Sequence, residues 1–345
     1  MPGSQSRLER LTHLPGLKPL LWHFAKRLIA GEEVEDALNQ TAHFNASGFT
    51  VILNYIGEDN QSYGAVKTAE EKYLEILSLL KRRDLKAEIS FQLSQFELEA
   101  NHYSKYYWYE NCPEEIILVL ETADQSAVRV WLDAKLLETR EDLWNLAEFA
   151  LAEMKISFLG ATCQAYGNAG FNSIFFFRNR IAPLVYSLQK GKTLGLRLDK
   201  EAYSSEKWIL RDPNAIRERY LELARSMLEL VLTNRARENA GIFFPEFATH
   251  NLKLVNEIKL LAKRLGLAKR WFRFAMPYGR QQSLASHLFA EGYTVAVYLP
   301  FGPDWLPYSI RRLQNNKLYI FWPFLREGEY HLCPEWPDKC ILLNK

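Results

Sequence analysis

The chain has 345 residues, 48% of them hydrophobic, and carries a formal net charge of +2 at pH 7 with a pI near 8.2. This balance does not suggest a nucleic-acid or strongly acidic partner. The apolar runs are shorter than the roughly 18 residues that a membrane span needs. The N-terminus lacks the apolar core of a signal peptide, and the four cysteines have no zinc-ligand spacing. We therefore expect a cytoplasmic protein with reduced thiols and no metal; oligomer formation and attachment to a membrane surface stay open.

Two helices are predicted before the first strand. Residues 16–30 and 32–44 both have amphipathic spacing, and Gly31 separates them. No strand partner lies nearby in the sequence. The pattern predicts an N-terminal helical segment over residues 1–48.

From residue 50 onward, apolar or β-branched runs alternate with segments of 3.6-residue periodicity. Eight such alternations predict an α/β fold, a (β/α)8 barrel of the TIM type, over residues 49–316, with an irregular tail over 317–345. Gly160 and Pro245 are the weak points, because glycine weakens a strand and proline cannot donate to its ladder. The clearest helices are 69–83, 141–154, 213–233 and 251–265. The eight strand-like runs are 50–56, 86–93, 127–133, 157–164, 192–199, 241–248, 270–276 and 293–299.

The stretch from Tyr298 to Arg312 passes from the last strand through a proline-rich loop into a helix. Tyr308, Arg311 and Arg312 stand at i, i+3 and i+4, so they share one helix face. Two guanidiniums and a phenol suit a small carboxylate, because the planar fork of arginine binds it bidentately. Taken alone, an arginine pair is more often a solvated helix face.

Polar residues recur where the predicted strands end, the place where barrel proteins carry their active sites. About half of such residues cap the following helix instead, and Asp199 and Thr249 are the most typical caps. The set comprises Asn54, Glu58, Gln92, Gln95, Asp133, Gln164, Asp199, Lys200, Thr249, His250, Asn251 and Tyr298.

These strand ends resemble the proline dehydrogenase family, and the resemblance covers about residues 28–316. The motifs follow one another in the family's order. They are Leu53-Asn-Tyr-Ile-Gly-Glu58, Ile89-Ser-Phe-Gln92-Leu-Ser, Leu132-Asp133-Ala134, Gln164-Ala-Tyr166, Arg197-Leu-Asp-Lys200-Glu-Ala202-Tyr203, Ala248-Thr249-His250-Asn251, Val297-Tyr298-Leu-Pro300-Phe-Gly302 and Leu306-Pro-Tyr308-Ser-Ile-Arg311-Arg312.

The resemblance implies a distorted barrel that binds FAD and oxidises proline. It places Arg311 and Arg312 on the substrate carboxylate, Asp133 beside an arginine that it orients, and Tyr298 and Tyr308 in the pocket. Hydride transfer to a flavin depends mostly on positioning, which such a set could provide. The residues that the resemblance places along FAD are Gln164, Lys200, Ala202, Tyr203, Thr249, His250 and Asn251.

The chain also departs from the family's pattern. The second-strand lysine is replaced by Gln92, a candidate for the substrate pocket, and an arginine expected after Tyr166 is replaced by the segment 167–171. Losing one charge-assisted contact costs on the order of 1.5–3 kcal/mol, so the substrate or the activity could differ. Further departures are Asn54, Lys135, Glu201 and residues 313–316.

Three functions are compatible with this sequence. The first is an FAD-dependent dehydrogenase of proline or a related cyclic amino acid or amine carboxylate, with a quinone or oxygen as electron acceptor. The second is a catalytically altered or inactive relative that binds a metabolite or a partner. The third is a flavin-free barrel enzyme in which Lys200 forms a Schiff base.

Overall fold

The computed structural model describes residues 21–23, 25–57, 63–96, 112–133, 140–165, 174–199, 212–279 and 282–315, and side chains at 140, 141 and 311–315 lie outside this description. Eight parallel strands close into a barrel in sequence order. The predicted (β/α)8 fold is therefore confirmed. The strands, β1 to β8, are Thr50–Tyr55, Ala87–Gln92, Val130–Asp133, Phe158–Gln164, Thr193–Asp199, Ile242–Ala248, Arg273–Pro277 and Thr294–Phe301.

All eight predicted strands are present, and the seventh and the third begin three residues later than predicted. The seventh begins at Arg273 and not at residue 270, and the third begins at Val130 and not at residue 127. The preceding helix ends at Gln125, and Ala127 then adopts a left-handed conformation with φ of 53°. Such a residue cannot continue a strand, so the four residues 126–129 connect the helix to β3.

Helices surround the barrel and follow the predicted alternation. Asp212 caps one of them by accepting hydrogen bonds from the backbone of Asn214 (3.3 Å) and Ala215 (3.2 Å), and Pro213 occupies its first position. The helices are α1 (Val34–Ala46), α2 (Tyr63–Arg83), α3 (Glu114–Gln125), α4 (Arg140–Ala152), α5 (Ala182–Ser187), α6 (Pro213–Arg235), α7 (Leu252–Arg264), α8 (Gln282–Ala290) and α9 (Trp305–Asn315). Shorter turns occupy Leu93–Phe96, Ile174–Phe176, Phe177–Ile181 and Lys269–Trp271.

The chain before α1 is attached to the end of β8. Ala30 donates its backbone N–H to Pro300 (2.9 Å), and Gly31 accepts from Gly302 (3.0 Å). Helical backbone ends at Ala25 and residues 26–28 form a turn, so the helix predicted over 16–30 is too long. The cause is tertiary, because the contacts with β8 draw residues 30 and 31 away from a helical path.

The same segment holds the start of α9, the helix that carries the predicted arginine pair. Ala25 and Ile29 pack with Trp305 and Tyr308 in one apolar cluster. The indole N–H of Trp305 donates to Glu32 at 2.8 Å. Pro307 lies in the first turn of α9, as predicted from the sequence.

Two glycines create the space inside the barrel. Gly160 on β4 pairs with Gly195 on β5, and both lie against the indole of Trp131 on β3. A Cβ atom at Gly160 would stand 2.2 Å from Cε3 of Trp131, and one at Gly195 would stand 2.7 Å from its Cη2. Gly160, a weak point in the sequence, is therefore required where it stands, because a bulky ring fills the interior.

Pro245, the other weak point, lies within β6. The pairing of β6 with β5 continues through Pro245, opposite Leu196. The pairing with β7 begins one residue later, at Glu246 opposite Arg273. The proline therefore stands before the second ladder begins, where its missing N–H is tolerated.

Candidate active site

Asp133, at the end of β3, collects donors from four other strands. Ser90 Oγ donates to it at 2.7 Å, Arg197 Nη1 at 3.2 Å and the hydroxyl of Tyr298 at 3.3 Å. Thr162 Oγ1 makes a further, short hydrogen bond with the same carboxylate. We call Ser90, Asp133, Thr162, Arg197 and Tyr298 the upper cluster; the structure brings the predicted residues Asp133 and Tyr298 together in it.

Ser90, Thr162 and Arg197 were not assigned to the site from the sequence, and Arg197 is the charged one of the three. Its Nε donates to Glu246 at 2.5 Å, and its guanidinium lies over the rings of Trp131 (4.6 Å) and Tyr298 (5.3 Å). Its side chain is 5% exposed, and buried Nη2 has no hydrogen-bond partner among the described residues. Such an orphaned donor is costly and calls for an explanation.

The charge of Arg197 is secured by its neighbours. Burial opposes the charged form, but the carboxylates of Glu246 and Asp133 outweigh it and raise the pKa of Arg197 above its ordinary value. The arginine therefore presents a permanent positive charge close to the carboxyl ends of the strands. Among the described residues, the arginine that Asp133 binds is Arg197, on β5. A contact of Asp133 with Arg311 or Arg312 stays a prediction, because those side chains lie outside the described part of the chain.

A second group of ions fills the interior below Arg197. Arg273 donates Nε to Glu246 at 2.5 Å, and both its terminal nitrogens donate to Glu88, one of them at 2.7 Å. Glu88 also accepts from the indole N–H of Trp131 at 2.6 Å. We call Glu88, Arg273 and Glu246 the lower network. Burial tends to raise the pKa of Glu88, but the charge and hydrogen bonds of Arg273, helped by Arg129, hold it below its ordinary value.

Strand register explains why these charges meet. Arg197 stands opposite Glu246, and Glu246 stands opposite Arg273, on three consecutive strands. On β2, Glu88, Ser90 and Gln92 follow one another at every second position, which in a strand is one face. The sequence signal was only a charged residue inside an apolar strand, at Glu88, Arg197, Glu246 and Arg273. Such a residue does not name its partner, which stands on another strand.

Other predicted residues occupy the same rim. Gln92 ends β2 opposite Asp133, and Gln164 ends β4 opposite Asp199; both glutamines are buried. Tyr308 is buried in the cluster beneath α9. Asn54 and Gln95 instead serve the fold, because Asn54 donates to the carbonyl of Ser90 at 3.0 Å and Gln95 donates to that of Tyr55 at 2.9 Å.

The segment Thr249-His250-Asn251 follows β6 directly and leads into α7. Asn251 caps α7 by accepting from the backbone of Lys253 (2.9 Å) and Leu254 (3.1 Å), while Thr249 Oγ1 accepts from the backbone of Asn251 (3.2 Å). Capping, which the sequence analysis offered as the alternative role, is therefore observed for Asn251. Contact with FAD stays a prediction for all three residues.

Several predicted residues lie outside what the structure describes. Arg311 and Arg312 belong to the backbone of α9, but their side chains are not described. Lys200, Ala202 and Tyr203, together with the segment 167–171 and the tail over 317–345, are likewise outside the described residues. Their assignments stay predictions.

The described residues contain neither a membrane-spanning helix nor a metal-binding group of side chains. None of the described helices is both long and apolar enough to cross a bilayer. Within the same ranges, no group of three or more histidine, cysteine, aspartate or glutamate side chains could hold a metal ion.

Fold and site together define a (β/α)8 barrel with a charged cluster where the strands end. The family model described as proline dehydrogenase matches residues 37–319. Proline dehydrogenase 2 of Bacillus subtilis (strain 168) is 24% identical over 302 residues, which cover 87% of this chain and 89% of that protein. Proline dehydrogenase of Deinococcus radiodurans is 23% identical over 303 residues, 86% of this chain and 87% of that protein.

Solved structures agree with the fold. Proline utilization A (PutA) from Bdellovibrio bacteriovorus, inactivated by N-propargylglycine, superposes with a TM-score of 0.76 at 19% identity, covering 91% of this chain and 35% of that chain. PutA from Bradyrhizobium japonicum gives a TM-score of 0.67 at 18% identity, covering 84% and 30%. This chain thus spans about a third of the PutA chains. The family match covers most of its length, and the chain belongs to the proline dehydrogenase family.

Proposed function

We propose that this chain is an FAD-dependent dehydrogenase that oxidises the C–N bond of proline or of a related cyclic amino acid or amine carboxylate. The observation that carries the proposal is the upper cluster, in which a buried arginine keeps one donor that has no partner among the described residues. Family membership supports the reaction class. The electron acceptor in this proposal is a quinone or oxygen.

The unsatisfied donor of Arg197 supports a bound flavin. A flavin ring carries several nitrogen and oxygen acceptors, and Nη2 of Arg197 is a buried donor that lacks an acceptor among the described residues. Burying a flat ring against that donor would satisfy it. When bound, FAD would accept a hydride from the carbon next to the substrate nitrogen, which leaves a C=N double bond in the product.

The chain's own residues would bind and orient the substrate. Asp133 keeps the guanidinium of Arg197 and the hydroxyl of Tyr298 in place through contacts of 3.2 and 3.3 Å. Arg311 and Arg312, on the helix that starts at Trp305, are proposed to hold the substrate carboxylate. Tyr298 and Tyr308 would close the pocket, while Gln92 would add a neutral hydrogen-bonding group in it.

FAD-lining roles are proposed for seven residues. Thr249, His250 and Asn251 lead from β6 into α7, and Gln164 ends β4, so these four stand at the carboxyl end of the barrel. The remaining three are Lys200, Ala202 and Tyr203, which directly follow β5 in the sequence.

The testing experiment is the visible spectrum of the purified protein, followed by anaerobic mixing with L-proline, with hydroxyproline and, as a control, with D-proline. We expect a flavin band that L-proline or a close relative bleaches and that D-proline leaves intact. N-propargylglycine, which inactivates the PutA of Bdellovibrio bacteriovorus, should then abolish the bleaching.

Other results would favour the alternative functions. A flavin band that no cyclic amino acid bleaches would favour the altered or inactive relative, which the neutral Gln92 beside Asp133 makes a specific candidate. Protein that stays colourless after addition of FAD, and that borohydride traps on a carbonyl compound, would favour the Schiff-base role of Lys200.

A further inference from the structure

Glu246 is the residue through which the lower network reaches Arg197. It is fully buried, and each of its carboxylate oxygens accepts from a different arginine: Oε1 from Arg197 Nε and Oε2 from Arg273 Nε, both at 2.5 Å. Arg273 in turn is held by two hydrogen bonds to Glu88. Glu246 therefore joins Arg273 to Arg197, and its Oε1 makes the hydrogen bond that connects the lower network to Arg197.

We propose that Glu246 is a positioning residue: it sets the orientation of the Arg197 guanidinium so that Nη2 faces an acceptor atom of a ligand bound at the open end of the barrel. The ligand is the flavin or the carboxylate substrate, so this inference rests on the proposed function.

The other neighbours of Arg197 cannot set its orientation alone. Asp133 binds Nη1 at 3.2 and 3.4 Å, but its side chain is 16% exposed, whereas that of Glu246 is fully buried. The rings of Trp131 and Tyr298 lie over the guanidinium plane and leave rotation within that plane open. The hydrogen bond from Nε to Glu246 gives the plane a second fixed point beside the contacts of Nη1 with Asp133, and the two together close that rotation. A one-ångström error in such a placement is enough to cost a large factor in rate.

The decisive variant is Glu246→Asp, which keeps the negative charge and withdraws the carboxylate by one methylene. Glu88→Asp is its matched control. Glu88 is also buried, also lies in the lower network and also binds Arg273, but it makes no contact with Arg197. The two substitutions are chemically identical, so a difference between them reports the contact with Arg197.

Three quantities are measured on each variant: kcat/KM for L-proline, the dissociation constant of FAD and that of tetrahydrofuran-2-carboxylate. The last compound keeps the ring and the carboxylate but has oxygen in place of nitrogen. We expect Glu246→Asp to worsen at least one of them by about tenfold or more, and Glu88→Asp to change each by less than about twofold. A weaker affinity for FAD alone would place the acceptor on the flavin, and a weaker affinity for the carboxylate alone would place it on the substrate.

Arg197→Met supplies the second background. If Glu246 acts through Arg197, then Glu246→Asp should change the two dissociation constants by less than about twofold once Arg197 is absent, because interacting residues are non-additive. An equal loss in both backgrounds would overturn the inference, since the effect would then not pass through Arg197. Wild-type affinities and kcat/KM in the Glu246→Asp single variant would overturn it as well.

A measurement without ligand separates this inference from the proposed function. Arginine Nε–H signals of protein labelled with 15N, assigned with the Arg197→Met variant, report whether the bond to Glu246 persists. We expect slow exchange of the Arg197 Nε–H in the wild type and in Glu88→Asp, and fast exchange in Glu246→Asp. Unchanged exchange in Glu246→Asp would overturn the positioning role. Wild-type protein that takes no FAD and is not reduced by L-proline would instead overturn the proposed function.

Discussion

The two halves of the barrel interior use the same kinds of side chain in different ways. In the lower network, every nitrogen of the Arg273 guanidinium and every carboxylate oxygen of Glu88 and Glu246 has a hydrogen-bond partner. In the upper cluster, Arg197 keeps Nη2 without a partner among the described residues. All charged groups of the lower network are thus satisfied by one another, by Arg197 and by Trp131. In the upper cluster, Nη2 of Arg197 needs an added hydrogen-bond acceptor.

This difference shows how a barrel can support a site at one end. Desolvating an ion pair is expensive, and the expense is offset only when geometry and hydrogen bonds are good on all sides. The lower network meets that condition within the protein. In the upper cluster one donor of Arg197 has no partner among the described residues, and an added acceptor would convert part of the desolvation cost into binding.

The largest expected effect is on stability and comes from the lower half. Arg273→Met would leave Glu88 and Glu246 buried without their shared partner, and we expect the free energy of unfolding to fall by about 3–5 kcal/mol. Urea unfolding measures it. Arg225→Met is the matched control: Arg225 pairs with Glu229 at 2.8 Å on an exposed helix face, and a loss below about 1 kcal/mol is expected. Equal losses in the two variants would mean that the lower network adds nothing beyond a surface pair.

The next effect is on activity and comes from the upper half. Asp133→Asn would remove the charge that holds Arg197 and Tyr298, and we expect kcat/KM for L-proline to fall by about 100-fold with little change in thermal stability. Asp124→Asn is the control, because Asp124 accepts from Ser157 at 2.8 Å before β4, at the opposite end of the barrel. A loss of stability as large as that of Arg273→Met would place Asp133 with the structural ions instead.

A smaller effect concerns the indole ring of Trp131, which contacts both Glu88 and Arg197. Gly160→Ala would bring a Cβ atom within 2.2 Å of Trp131, and relieving that overlap should cost about 1–3 kcal/mol of unfolding free energy. Chemical denaturation measures the cost in the wild type and in a Trp131→Phe background. A smaller ring should reduce it; the same cost in both backgrounds would show that Trp131 is not the obstacle.

The smallest effect is the pH dependence of the lower half. Because the folded protein lowers the pKa of Glu88 from its ordinary value of 4.5, its ionised form stabilises the fold above that value. The contribution is lost as the pH falls through the lowered pKa. We expect the difference in unfolding free energy between wild type and Glu88→Gln to narrow as the pH falls from about 6 to about 3. A constant gap would mean that the pKa of Glu88 is not lowered.

Much of the fold could be predicted from the sequence, because strand and helix periods are local. The eight strands and their order followed from alternating apolar runs, and the polar strand ends pointed to Asp133, Gln92 and Gln164 as one rim. Boundaries depended on the surroundings: helical backbone before α1 stops at Ala25 because the next residues bind β8.

The pairing of the charged residues inside the barrel could not be predicted from local sequence patterns. Arg197, Glu246 and Arg273 stand far apart in the sequence, and an isolated charge inside an apolar strand predicts neither its partner nor its burial. Register brings them opposite one another across β5, β6 and β7. The role of Gly160 was equally hidden, since it depends on an indole from the neighbouring strand.

The sequence by itself determined the barrel and its family, because periodicity and short motifs are local properties of the chain, and it predicted a site at the carboxyl ends of the strands. Only the tertiary structure decided which arginine Asp133 holds among the described residues and which carboxylate fixes that arginine. The reason is that ion pairs in a closed barrel form between different strands. Strand register and burial determine which residues pair, and neither can be read from one segment of the sequence.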